Sequence, residues 1–335
     1  MLGQTVQVAG VEACPKWLCD LATHKRLREQ CNGRNPALVR EVCEQVRDQD
    51  ASVRLNAARS LGSIAQHGDM EIIETLLGCD SSYGLNDASS SVRAAAAESL
   101  GEIARGCKLE RASAMLLARF GDPDWTVRSS ALNALVRISG PNCAEEWLLD
   151  RLLESLNNES WSCVTEAAEA LGRLAPKDDK RVVQSLTNLF SHPDWAVRKS
   201  CATAVARVAE LGNRNALSAI LPLLDDADWR VRKAALAALP EIVERGCNEG
   251  VNAVLRRLDD REEVGRKQTL DIISLQDEDV QVAALCALSR VSVPGDARVL
   301  AALAERRERS SAGERVQRTL EQTMAILQRG REEDR

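Results

Sequence analysis

A chain of 335 residues, 44% of them hydrophobic, has ample material for a core, yet only 3% of it is aromatic. Its net charge of −6 disfavours a nucleic-acid surface, and no apolar run approaches the ~20 residues of a membrane span. Eleven cysteines, an odd number without framework spacing, and no secretory signal point to free thiols inside the cell, with the cytoplasm expected and an organelle left open.

Residues 1–35 read as a lead-in and capping helix, with Pro15 suited to a first turn and Trp17, Leu18, Leu21 and Leu27 on one apolar side. Residues 36–294 then divide into about seven units, each a helix A, a turn and a helix B. Helix A is expected over 36–47, 70–77, 109–120, 144–156, 180–190, 214–224 and 250–258. Helix B opens on Asp50, Ser89, Asp124, Ser160, Asp194, Asp228 and Asp277, residues whose side chains accept a bond from a free N–H of the first turn.

Three residues after each opening residue stands Val53, Val92, Val127, Cys163, Val197, Val231 or Val280. Four, seven, eight and eleven residues further on, every position is apolar or small, as in Ala131, Ala134, Leu135 and Ile138. Those steps lie on one face of a 3.6-residue helix, so each B helix carries a narrow buried stripe. Stop signals close the helices at Gly68, Gly106, Gly140-Pro141, Pro176, Gly212, Gly246 and Pro294-Gly295.

The units recur at 34 to 39 residues, except that Val231 and Val280 stand 49 apart. The longer interval predicts an extra helix near 262–275, with a degenerate repeat as the alternative. Residues 295–335 read as two charged closing helices and a tail, since a terminal repeat must turn one face to water.

The Asp-x-x-Val-Arg-x-x-Ala-x-x-Ala-Leu-x-x-Ile pattern resembles HEAT repeats, and among them the short HEAT-like type of phycobilisome lyases. The resemblance implies an all-α, right-handed α-α superhelix (α-solenoid) of stacked helix pairs. It also implies B helices lining a concave surface that holds a protein or peptide. By the same analogy a bilin or pigment lyase or chaperone is the alternative function, and nucleic-acid binding through an Arg stripe is another.

Several residue series bear on those readings. Arg54, Arg93, Arg128, Arg198 and Arg232 stand beside the stripe, either as an anion ladder or as a tie between units through carboxylates such as Asp124, Asp194 and Asp228. Trp125, Trp161, Trp195 and Trp229 occupy the first turn of four consecutive B helices, either packed across the turn or exposed to a ligand. Ten residues after the key position, Arg137, Arg173 and Arg207 would form a basic stripe, with Lys199, Arg230, Lys233 and Glu241 near it. The small residues Gly62, Gly101, Gly172 and Ala206 next to that column would let a partner helix approach closely. His24, His67 and His192 have no second ligand at helical spacing and no following Glu, which removes the His-Glu iron site of HEAT-like hydroxylases. No phosphate loop, zinc spacing or nucleophile elbow is present, so the expectation is a non-catalytic binding scaffold without metal or cofactor.

Overall fold

The computed structural model describes residues 36–78, 82–140, 145–258, 270–309 and 313–333. The expected lead-in helix and its Pro15–Leu27 face lie outside the described residues, as does His24. Among the described residues there are sixteen α-helices and no strand, and the chain divides into two compact units, residues 1–140 and 141–335.

In the first unit helices alternate as A, B, A, B, A, B: α1 (Pro36–Gln45), α2 (Ala51–Ile64), α3 (Met70–Leu77), α4 (Ser90–Ile103), α5 (Glu110–Ala118) and α6 (Trp125–Ser139). The second unit continues the alternation: α7 (Glu146–Ser155), α8 (Trp161–Leu174), α9 (Lys180–Asn188), α10 (Trp195–Val208), α11 (Arg214–Ile220), α12 (Trp229–Ile242), α13 (Asn248–Leu258), α14 (Leu270–Val291), α15 (Ala297–Arg309) and α16 (Glu314–Glu333). Within each unit successive B helices pack on one another, α2 on α4 on α6, and α8 on α10 on α12 on α14 on α16. Each unit is therefore a stack of helix pairs, the all-α solenoid architecture.

The stripe places its residues as the spacing predicts. Ala131, Leu135 and Ile138 of α6, Ala167, Leu171 and Leu174 of α8, and Val231, Ala235 and Leu239 of α12 are all fully buried. Small side chains there let neighbouring B helices close up. A Cβ on Gly101 would stand 2.8 Å from the Ala134 Cα, and one on Gly172 would stand 2.9 Å from the Ala204 Cα. A Cβ on Gly62 would meet the Ser99 Oγ at 2.5 Å. These glycines are thus occupied by the next B helix, and Ala206 is buried. The expected approach of a partner helix over them is corrected: the chain itself uses that space.

Helix starts follow the expectation in part. Asp50, Asp124, Asp194 and Asp228 accept the N–H two residues on, at 2.8, 2.9, 2.7 and 2.9 Å. Ser89 and Ser160 occupy the same extended backbone without that bond. Asp277 is not a helix start, because α14 runs unbroken through it from Leu270. Of the extra helix expected near 262–275, residues up to 269 lie outside the described residues, and 270–275 belong to α14.

A second acceptor precedes each cap. The side chains of Asp48, Asp87, Asp122, Asn158, His192 and Asp226 each accept the N–H of the residue two places on, at 2.8 to 3.0 Å. His192 does this with Nδ1, which assigns this histidine to the turn. At the far end of the B helices, backbone joins backbone across repeats. The N–H groups of Gly68, Gly106, Asp178, Gly212, Gly246 and Gly295 donate to the carbonyls of Ile103, Arg137, Val208, Ile242, Val291 and Leu327, at 2.6 to 2.9 Å. All six donors have positive φ. Five of the acceptors lie in the last turn of the next B helix, whose carbonyls have no partner within the helix, while Leu327 lies inside α16.

Candidate functional site

Three of the arginines after the key valine build the other seam, while the bonds of Arg128 and Arg232 to the Asp122, Pro123, Asp226 and Ala227 carbonyls stay within their own turns. Arg54 bonds Asp87 through Nε and Nη2 at 2.6 and 2.9 Å, and Arg93 bonds Asp122 at 2.8 Å through both. In the second unit Arg198 bonds Asp226 in the same forked way, at 2.7 and 2.8 Å. Each Nη1 also donates to two carbonyls of the arginine's own turn, as from Arg54 to Asp48 and Gln49. The tie between repeats is therefore real, but the expected carboxylates are corrected. The acceptors are Asp87, Asp122 and Asp226, two residues ahead of the caps, each of which also accepts the N–H of the cap residue. Burial pushes the Asp226 carboxyl up, yet the bonds from Arg198 and the Asp228 N–H hold it below its ordinary value.

Much of the surface left over on the B helices is polar. In the first unit a groove of about 660 Å³ runs across α2, α4 and α6. Asn56 and Arg59 line it from α2, Glu98 and Glu102 from α4, and Asn133 and Arg137 from α6. These positions flank the stripe on one side of it. Arg137 and Glu102 form a close ion pair, and Glu102 also accepts from Arg105 at 2.6 Å. Burial pushes the Glu102 carboxyl up, but the two arginines together leave it below its ordinary value. The Ser130 hydroxyl donates to Glu98 at 3.0 Å. Arg59 is exposed and makes no side-chain bond among the described residues.

The expected contact residues fall into different situations. Arg137 lines the groove of the first unit. In the second, Arg173 stands 3.6 Å from Glu169 on its own helix, while Arg207 and Lys199 are exposed and form no ion pair among the described residues. Lys233 bonds Asp279 at 2.9 Å, and Glu241 accepts from Arg290 at 2.6 Å, so both tie α12 to α14. Arg230 lies with its guanidinium carbon 3.4 Å from the centre of the Trp195 ring and bonds Asp228. The tryptophan series accordingly splits. Trp195 and Trp229 are half-buried, with Lys233 Nζ 5.8 Å from the Trp229 ring, whereas Trp125 is 68% and Trp161 50% exposed.

The column formed by Arg59, Glu98 and Asn133 is not among the series that the sequence singles out, though its signal is present. Arg59, Glu98 and Asn133 stand six residues after Val53, Val92 and Val127, and polar in each. Among the described residues no group of three or more His, Cys, Asp and Glu side chains is arranged to hold a metal ion. None of the described helices is long and apolar enough to cross a membrane.

Comparison with known proteins agrees with this geometry. The family described as HEAT repeats matches residues 39–136, 82–172 and 183–274, more than half of the chain. No curated protein matches at a significant level. Among solved structures, Kap95p, from work on its binding to RanGDP, superposes with a TM-score of 0.63 at 13% identity, over 91% of this chain and 43% of Kap95p. Importin beta gives 0.59 at 16% identity, over 87% of this chain and 42% of its own. The Escherichia coli protein YibA gives 0.52 at 17%, over 96% and 99%. At such identities the likeness is one of fold.

Proposed function

This chain belongs to the HEAT-repeat family, and from that premise we propose that it is a non-catalytic scaffold holding a protein partner on its B-helix face. The observation that carries the reading is the groove across α2, α4 and α6. A groove of this size, with charges of both signs and two amides on its walls, suits a polar peptide segment better than a small apolar ligand. Arg59, which makes no side-chain bond among the described residues, supplies a site for a carboxylate of that segment. Nothing in the lining resembles a catalytic set, since Ser130 is bonded to Glu98 and no histidine or cysteine takes part. The nucleic-acid reading loses support at Arg137, whose charge Glu102 offsets. No observation favours the pigment-lyase reading.

The test is selection of peptides from a displayed library by the full chain, followed by affinity measurements on three variants. Arg59→Glu and Asn133→Arg should each weaken the selected peptides at least about tenfold, the equivalent of ~1.4 kcal/mol. Glu110→Gln, on the A helix α5, should leave them unchanged. Failure to select any peptide, or equal binding by all variants, would overturn the proposal.

A further inference from the structure

Two consecutive joints of the second unit are built from the same parts with one exception. At the joint of α10 with α12, the Arg230 guanidinium lies 3.4 Å over the Trp195 ring. Asp228 holds it there, accepting from Nε at 3.0 Å and from Nη2 at 2.7 Å. Thirty-four residues earlier, at the joint of α8 with α10, Trp161 stands in the place of Trp195 and Asp194 in the place of Asp228. The place of Arg230 is taken by Ala196. Trp161 is 50% exposed, where Trp195 is half-buried under its arginine.

Asp194 is set up as Asp228 is. Its Oδ1 accepts the Ala196 N–H at 2.7 Å, as the Asp228 Oδ1 accepts that of Arg230 at 2.9 Å. The Oδ2 of Asp194, counterpart of the oxygen that binds Arg230 Nη2, makes no bond among the described residues. The indole and the carboxylate of a guanidinium site are thus both present, and the arginine is absent. Glu159, exposed beside Trp161, adds negative charge at the same end of α8.

We propose that Trp161 and Asp194 bind an arginine side chain presented by a protein partner, seated as Arg230 is seated on Trp195 and Asp228. The inference does not rest on the groove of the first unit, since the joint belongs wholly to the second. Arginine fits better than lysine because its planar ion stacks on an indole while its fork offers parallel donors to a carboxylate. The occupied joint in the same chain is the template for that geometry.

The test follows the indole N–H resonance of Trp161 in the full ¹⁵N-labelled chain, assigned with Trp161→Phe. The probe is acetyl-Gly-Arg-Gly-amide, with the same peptide carrying citrulline as a neutral isostere. The Trp161 resonance should move saturably with the arginine peptide, and the citrulline peptide should bind at least about threefold more weakly. Ala196→Arg should abolish the response, because the chain's own side chain then fills the site. That variant repeats what the fold already accepts at position 230, and the wild-type titration stands without it. A Trp161 resonance that stays fixed, or moves equally with both peptides, or responds as before in Ala196→Arg, would overturn the proposal.

Discussion

Arg198 of α10 sets both Nε and Nη2 on the carboxylate of Asp226, in the turn ahead of α12, while its Nη1 bonds the carbonyls of His192 and Pro193. One side chain therefore satisfies its own turn and the next at once. Both partners are largely buried, at 14% and 8% side-chain exposure. Removing either leaves the other charge without its partner in a place where water reaches poorly. Arg198→Ala should cost ~2–4 kcal/mol by urea unfolding. A double-mutant cycle with Asp226→Ala should return a coupling of the same sign, well above the ~0–1 kcal/mol of an exposed pair.

The same pair sets a pH dependence. The Asp226 carboxyl is held below its ordinary value in the fold, so its contribution is complete above the unfolded value of about 3.9 and is lost as pH falls through the folded value. Asp226→Asn should therefore be less stable than the wild type at pH 7, with the gap closing below about pH 4. A gap unchanged down to pH 2 would contradict the role given to this ion pair.

Gly172 offers a test in which two effects have opposite sign. Alanine stabilises an exposed helix interior by ~1 kcal/mol over glycine. Here its Cβ would stand 2.9 Å from the Ala204 Cα, a backbone atom with nowhere to go. Gly172→Ala should destabilise by ~1–3 kcal/mol, as overpacking does. Stabilisation in thermal unfolding would show that the two B helices are not in contact at this point.

Cysteine reactivity should follow burial. Burial pushes the Cys201 thiol up to about 12, and the side chain is inaccessible, whereas Cys286 is exposed. At pH 8 in native buffer, iodoacetamide should modify Cys286 and spare Cys201, read peptide by peptide by mass spectrometry. Comparable labelling of both would place Cys201 outside the stripe.

The stripe, the helix pairs and the stop signals were legible because they are periodic, and periodicity is visible from one sequence. The partners of Arg54, Arg93 and Arg198 were not. Asp124 and Asp122 are equally near on the chain and each accepts a backbone N–H two residues on, so only the packing of one turn against the next decides which of them meets Arg93. The tryptophans illustrate the same limit. Trp161 and Trp195 look alike in their own segments, and what covers the second is Arg230, a residue of the following repeat. Gly62, Gly101 and Gly172 were read as open because smallness does not say which body fills the space it leaves. Arg59 escaped notice because its column of Arg, Glu and Asn shares polarity without sharing charge.

The backbone bonds from Gly106 to Arg137 and from Gly212 to Ile242 have a consequence for how such a chain changes over time. A joint made of main-chain atoms depends on side-chain identity only through the positive φ of its donor, which favours glycine, so substitutions elsewhere leave it intact. It also recurs at six places among the described residues, which makes the helix pairs it links alike at their ends. Duplication or deletion of a helix pair within either unit would therefore bring together ends that carry the same backbone donor and acceptor. Proline at a donor position such as 106 or 212 is the substitution that removes the link outright.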